Sequence, residues 1–183
     1  MSAEKLSRLS AHEVDQLDPY AFMAVIGKKV IHPGGKRSTE ELFRFADFAP
    51  GKRVLDVGAG VGTTAIDIAN RFGCEVTAVD IDPGMLARAE INVRAAKMDG
   101  QVTIAEADIQ SLPFVADSFD RVVVEAVTMF VDRPRAAAEV VRVCQPEGRV
   151  LEHEFIYRKP PTQEVRRIFE GAQAAAQDPP PPQ

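Results

Sequence analysis

Hydrophobic positions change period along the chain, and the changes mark its elements. The stretch "SAHEVDQLDPYAF" (10–22) places Ser10 and Glu13 in capping-box spacing ahead of apolar residues and predicts a short helix. "IHPGGKR" breaks it with a proline and two glycines. "STEELFRFADFAPG" predicts a second helix that starts at Ser38, with Glu41 completing a capping box. Leu42, Phe43, Phe45, Ala46 and Phe48 form its broad apolar face, and Pro50-Gly51 ends it.

From residue 53 the pattern alternates between short continuous apolar runs and helical periods. "RVLDVG" reads as a buried strand and "TTAIDIANRFG" as a helix closed by Gly73. "EVTAVDI" is a second strand. "DPGMLARAEINVRAAKMDG" is a helix with Asp82 as cap, Pro83 in its first turn and Gly100 past its end. "QVTIAEAD" and "FDRVVVEAV" are the third and fourth strands, "RPRAAAEVVRVC" a helix, "PEG" a turn and "RVLEHEFIY" a fifth strand. "TQEVRRIFEGAQAAAQ" predicts a last helix before the tail "DPPPPQ". Strands alternating with helices imply parallel pairing through right-handed crossovers, hence an α/β fold with a doubly wound, mainly parallel sheet. The division expected is a helical cap segment over 1–50, a sheet domain over 51–177 and a disordered proline-rich tail over 178–183.

Bulk properties narrow the function classes. A net charge of −5 without a basic stretch disfavours nucleic acid as a partner. No apolar run approaches the length of a membrane span, and the start "MSAEKLSRLS" lacks the apolar core of a secretory signal. Cys74 and Cys144 fall inside regular elements, as expected of buried thiols in a reducing cytoplasm.

The candidate chemistry lies in "VLDVGAGVGTT", where Gly58, Gly60 and Gly62 follow the first strand. In an open parallel sheet, ligands bind beyond the carboxyl ends of the strands. Glycines there allow positive φ and close approach, and the next helix turns free N–H groups to the same place. The dinucleotide fingerprint G-x-G-x-x-G needs a small residue where this chain has Thr63, which counts against a nicotinamide cofactor. The pattern G-x-G-x-G with Asp56 two residues ahead resembles instead the first motif of the class I S-adenosylmethionine-dependent methyltransferases. Asp80 ends the second strand 22 residues after Gly58, where a carboxylate can accept from both ribose hydroxyls.

"EADIQSLPFVADSFDRVVV" and "AAAEVVRVCQPEGRVL" resemble further segments of that family, best its quinone, sterol and other small-molecule branch. The resemblance covers about Arg53 to Leu151 and implies a Rossmann-like fold binding S-adenosyl-L-methionine. It assigns Asp56, Gly58, Ala59, Gly60, Gly62, Asp80 and Ile81 to the cofactor, Asp108 to the adenine amino group and Ile109 to the ring. Asp120 would serve the fold, and Glu139 with Arg142 would form a structural pair. Glu125, ending the fourth strand, would face the methionine part of the cofactor and the acceptor. It would orient either one or act as base, and a rim carboxylate without chemistry is the alternative. "EAVT" lacks the Asn/Asp-Pro-Pro-aromatic motif of base-amino methylating branches.

The reaction implied is in-line methyl transfer to a small-molecule acceptor, which needs neither a nucleophilic side chain nor a metal. Tyr20 or His32, in the segment before the sheet, could close over the site. His153 points away from Glu152 and Glu154 along its strand, so those three form no metal cluster. Phe43, Phe45, Phe48, Met129 and Phe130 would line an acceptor pocket or, more simply, pack the core.

The departure from the family is at the end. Only 32 residues follow Leu151, too few for the sixth and seventh strands of the complete fold. The open fifth strand would then pair with a second copy as a homodimer or lie under a helix. A cofactor-binding but inactive scaffold or partner subunit is the rival reading.

Overall fold

The computed structural model describes Met23, residues 26–28, Val30, residues 32–154, Pro160, Thr162 and Gln163. The predicted helix over 10–22, Tyr20, the last helix and the proline tail lie outside the described residues. Among the described residues the order is α1 (Gly35–Ala46), β1 (Arg53–Val57), α2 (Thr63–Phe72), β2 (Glu75–Asp80), α3 (Pro83–Ala95), β3 (Val102–Glu106) and β4 (Phe119–Glu125). A 3-10 turn (Thr128–Phe130), α4 (Arg133–Val143) and β5 (Cys144–His153) complete it.

The five strands pair in the order β3-β2-β1-β4-β5, every pairing parallel. The winding reverses at β1, so the crevice lies above the carboxyl ends of β1, β2 and β4. Because β1 is central, it carries the continuous buried run Val54–Val57 expected of a strand covered on both faces. Alternate side chains go to opposite layers. Val54, Val76, Ala78, Val123 and Leu151 pack beneath α1 and α2. Leu55, Val57, Val79, Val122 and Val124 pack against α4 and the loop carrying Ile109 and Leu112. Helix α1 belongs to the first of these layers through Leu42, Phe43 and Ala46.

Four local expectations change. Helix α1 begins at Gly35, three residues before Ser38, behind Gly34 at φ 74. The Ser38 hydroxyl bonds backwards to the carbonyls of Pro33 and Gly35, and Glu41 reaches Arg37 rather than a cap amide. Phe45, placed on the apolar face, is 71% exposed; its neighbours Leu42, Phe43 and Ala46 take the buried stripe. Helix α3 stops at Ala95, with Lys97 at φ 58 and the amide of Met98 closing on the carbonyl of Val93, so Gly100 is not its terminator. The predicted turn at 146–148 lies inside β5 as an irregularity, since Phe119 pairs with Cys144 but Arg121 with Arg149. Gly148 is required there, because a Cβ would meet Cys144 Sγ, the carbonyl of Gln145 and that of Asp120.

The remaining local readings hold. Asp82 Oδ1 accepts from the amides of Gly84 and Met85 at the start of α3, and Gly73 closes α2. Asp120 binds the Arg53 amide and the Gln145 side chain, tying β1 and β5 to β4. Both cysteines are free and buried, and burial pushes their thiols up. The Glu139–Arg142 pair is bidentate at 2.7 Å and also holds the loop before β4: Glu139 accepts the Leu112 amide, while Arg142 donates to the carbonyls of Leu112 and Phe114. No described helix is long and apolar enough to cross a membrane.

Candidate functional site

The turn from β1 into α2 forms because three residues take left-handed backbone, Gly58, Gly60 and Gly62 at φ 70, 53 and 78. The amides of Gly58 and Ala59 both donate to the carbonyl of Val79 (2.8 and 2.9 Å), and the amide of Gly60 donates to Asp80 Oδ2 at 2.8 Å. Asn92 of α3 holds the carbonyl of Val61 from the other side. At Gly58 the missing side chain makes room for Val127. At Gly60 it leaves open space, with no atom within 4 Å of where a Cβ would sit. The backbone there is bare toward the crevice.

Three carboxylates converge around this turn. Asp56, at the end of β1, is 3% exposed, and its Oδ2 has no hydrogen-bond partner among the described residues. Burial, then the charges of Glu125 and Asp80, push its carboxyl up to about 8 against a backbone hydrogen bond from Ala65. Asp80 ends β2 and joins two turns, accepting from Gly60 through Oδ2 and from the Asp82 amide (3.0 Å) through Oδ1. Burial raises its pKa also. The carboxylate also takes a backbone hydrogen bond from Ile81 and still keeps lone-pair capacity for a ligand.

Of the remaining cofactor candidates, Asp108 closes its own loop, accepting from the Gln110 amide at 2.8 Å. Ile109 is 4% exposed and packed in the core layer under that loop, whereas Ile81 is 58% exposed beside Asp80. Of the proposed apolar lining, Phe43, Phe48 and Met129 are core or near-core residues.

Glu125 is a buried hub, its side chain 6% exposed. Oε1 accepts from Thr64 Oγ1 at 2.9 Å, and Oε2 accepts from Thr39 Oγ1 at 2.9 Å and faces His32 Nε2 at 3.4 Å. His32 Nε2 also meets Thr39 Oγ1 at 3.1 Å, so the segment before the sheet does reach the site. The chain leaves Glu125 sharply: Ala126, a non-glycine, sits at φ 58 with its amide bound to the carbonyl of His153 (2.7 Å). Glu152 and Glu154 flank His153 and both stand within hydrogen-bond distance of Thr128 Oγ1 (2.6 and 2.9 Å), whose single proton serves one of them, while the His153 ring meets the His32 ring edge-on at 5.8 Å. Thr39 and Thr64 are site residues that the sequence reading missed, and His153 was considered there only for its place on the fifth strand. Only Thr64 carried a signal, as the last residue of the glycine motif.

The family model for the methyltransferase domain matches residues 55–151, more than half of the chain and all of the site's strands. The chain belongs to this family. Relatives include an uncharacterized protein of Haemophilus influenzae, 38% identical over 74% of this chain and 55% of its own length. The demethylmenaquinone methyltransferase of Clavibacter sepedonicus is 38% identical over 66% of this chain and 47% of its own length. Among solved structures, phosphoethanolamine N-methyltransferase 2 of Haemonchus contortus, in complex with phosphomonomethylethanolamine and S-adenosylhomocysteine, superposes with a TM-score of 0.74 at 26% identity, over 93% of this chain and 40% of its own. The sheet is thus the Rossmann-like methyltransferase fold. The chain spans about half the length of the curated relatives it matches.

Proposed function

We propose that this methyltransferase-domain chain binds S-adenosyl-L-methionine across the Gly58–Gly62 turn and passes its methyl group to a small-molecule acceptor. The observation that carries the reading is the bare Gly60 backbone set among the carboxylates of Asp56, Asp80 and Glu125. An acidic crevice with an unpartnered buried oxygen suits a molecule that carries positive charge on both sulfur and amino group. When bound, the cofactor supplies an electrophilic methyl group for in-line displacement.

The residues divide the remaining work. Asp80 accepts from the sugar hydroxyls with the lone pairs that Gly60 and Asp82 leave free. Asp56, buried under the turn with Oδ2 unpartnered among the described residues, acts from beneath the ligand. Ile81 and Asp108 flank the base, and Ile109 supports that loop from beneath. Glu125 has both oxygens engaged and serves as a positioning residue rather than as a base. His32 and Thr39 cover it and limit access of water, which favours dispersal of charge from sulfur in the transition state. Among the described residues β5 is an edge strand, and its free edge is the place for a second copy or a further segment to add.

Incubation of the full chain with S-adenosylmethionine and a panel of quinol, phenol, amine and thiol acceptors, read as S-adenosylhomocysteine formed, tests the proposal. Acceptor-dependent product supports it. Binding of S-adenosylmethionine with no turnover on any acceptor, alone or with a partner, gives the scaffold reading instead.

A further inference from the structure

We infer that His32, Glu125 and His153 form a binding site for a first-row divalent metal ion of the zinc class. The three residues come from distant parts of the chain and are brought together by the strand order. Glu125 and His153 are partners in the β4–β5 register and so lie side by side on one face of the sheet. His32 descends onto them from the segment before α1. One ligand atom from each lies within 4.8 Å of the others. Ligands held at about 2.1 Å by one tetrahedral zinc sit about 3.4 Å apart. His32 Nε2 and Glu125 Oε2 already stand at 3.4 Å, and a ring nitrogen of His153 lies within 4.8 Å of both partners' ligand atoms.

Hydrogen bonding around His32 supplies an independent argument. Its Nδ1 lies 3.0 Å from the carbonyl of Pro33, which accepts only if Nδ1 carries a proton. In a neutral imidazole this tautomer turns the Nε2 lone pair toward the Glu125 carboxylate. Thr39 Oγ1 has a single proton, and its shorter contact, 2.9 Å, is to Glu125. A positive charge between Nε2 and the carboxylate, a metal ion or a proton, satisfies both groups, and the metal test below separates the two. An imidazole whose other nitrogen donates to a backbone carbonyl is the usual outer arrangement of a metal-ligating histidine. His153 gives the second argument: its Nδ1 is buried with no hydrogen-bond partner among the described residues. Two imidazoles and one carboxylate suit zinc, cobalt or iron rather than magnesium or calcium. Three protein ligands leave a fourth position open, as at catalytic rather than structural zinc sites. If the methyl-transfer reading holds, that position would take an acceptor through a deprotonated oxygen or sulfur.

The test uses the full chain without a histidine tag, stripped with chelator and dialysed against zinc, with metal counted by mass spectrometry. No S-adenosylmethionine is present, so failure of the metal site and failure of the methyl-transfer reading are separate results. One zinc retained per chain is expected, together with the visible absorption of a four-coordinate site when cobalt(II) replaces zinc. His153→Ala and Glu125→Gln should each weaken zinc binding by at least about 10-fold, and His32→Ala with His153→Ala should abolish it. The cobalt spectrum of the unsubstituted chain is decisive even if a variant fails to fold. No retained zinc and no cobalt band, or zinc binding that survives the double substitution in a folded variant, would overturn the inference; in that case a proton fills the gap between His32 and Glu125.

Discussion

Asp80 holds the amide of Gly60 at 2.8 Å with one carboxylate oxygen and the amide of Asp82 at 3.0 Å with the other. The residue expected to clasp a sugar therefore also fixes the two turns that border the crevice. Replacing it tests both duties. Asp80→Ala should lower stability by about 1 to 3 kcal/mol, since two backbone donors lose a charged acceptor. Asp80→Asn keeps one acceptor oxygen and should lose less stability, yet still bind S-adenosylmethionine at least about 10-fold more weakly, about 1.4 kcal/mol. Melting curves beside calorimetry separate the effects; an Asn variant with unchanged affinity would remove Asp80 from the binding site.

Asp56 gives the fold a pH dependence of known sign. Its carboxyl moves from an ordinary value of 3.8 to about 8, through burial first and then the charges of Glu125 and Asp80. Between those values the folded protein keeps a proton that the unfolded chain has released. Its contribution is fully present below 3.8, declines as pH rises through the window and is gone above about 8. Asp56→Asn cannot titrate, so its stability relative to the unsubstituted chain should rise with pH across that window. Thermal melts over the same range check this, and parallel pH profiles would contradict it.

Two glycines of the turn should respond differently to alanine. At Gly58 the new methyl collides with Val127, in addition to the cost of about 1 to 2 kcal/mol for a left-handed side-chain residue. Val127→Ala should relieve part of that loss in the double variant. At Gly60 nothing lies within 4 Å, so Gly60→Ala should cost only the backbone term while placing a methyl where the cofactor must lie. The expected signature is a larger effect on stability at Gly58 and a larger effect on S-adenosylmethionine affinity, relative to stability, at Gly60. Equal affinity for the unsubstituted chain and Gly60→Ala would mean that no ligand crosses the turn.

Arg121, 3% exposed in β4, closes the carboxyl end of α1. It donates to the carbonyls of Ala46, Asp47 and Asp120 and to the Asp47 carboxylate. Arg121→Met should destabilise the fold by about 2 to 3 kcal/mol by leaving buried carbonyls without donors. Denaturant unfolding measures it, and a change under half of that would show that water replaces the guanidinium.

What could be read from the sequence follows from how local each signal is. The strands of the core announced themselves because buried parallel strands are continuous apolar runs, and Asp82-Pro83 marks a helix start with no help from the rest of the fold. Ser38 and Glu41 mimic a capping box, but the left-handed Gly34 starts α1 earlier and leaves the serine to bond backwards. Arg121 reads as a surface residue in a strand, and only the three-dimensional position of residues 46 and 47 makes it a buried cap. The glycine turn, Asp56 and Asp80 were legible because the motif itself brings them together. Glu125 and His32 could be named singly, but their meeting with Thr39 and His153 was not legible, because the four come together only once β5 lies beside β4 and α1 folds over both.

The central claim is that this crevice selects a cationic nucleoside over a pyrophosphate. Calorimetric titration of the full chain with S-adenosylmethionine and, in parallel, with NAD tests it most directly. The account predicts saturable heat with S-adenosylmethionine and none with NAD at the same concentrations. NAD binding as tight as, or tighter than, S-adenosylmethionine would contradict it.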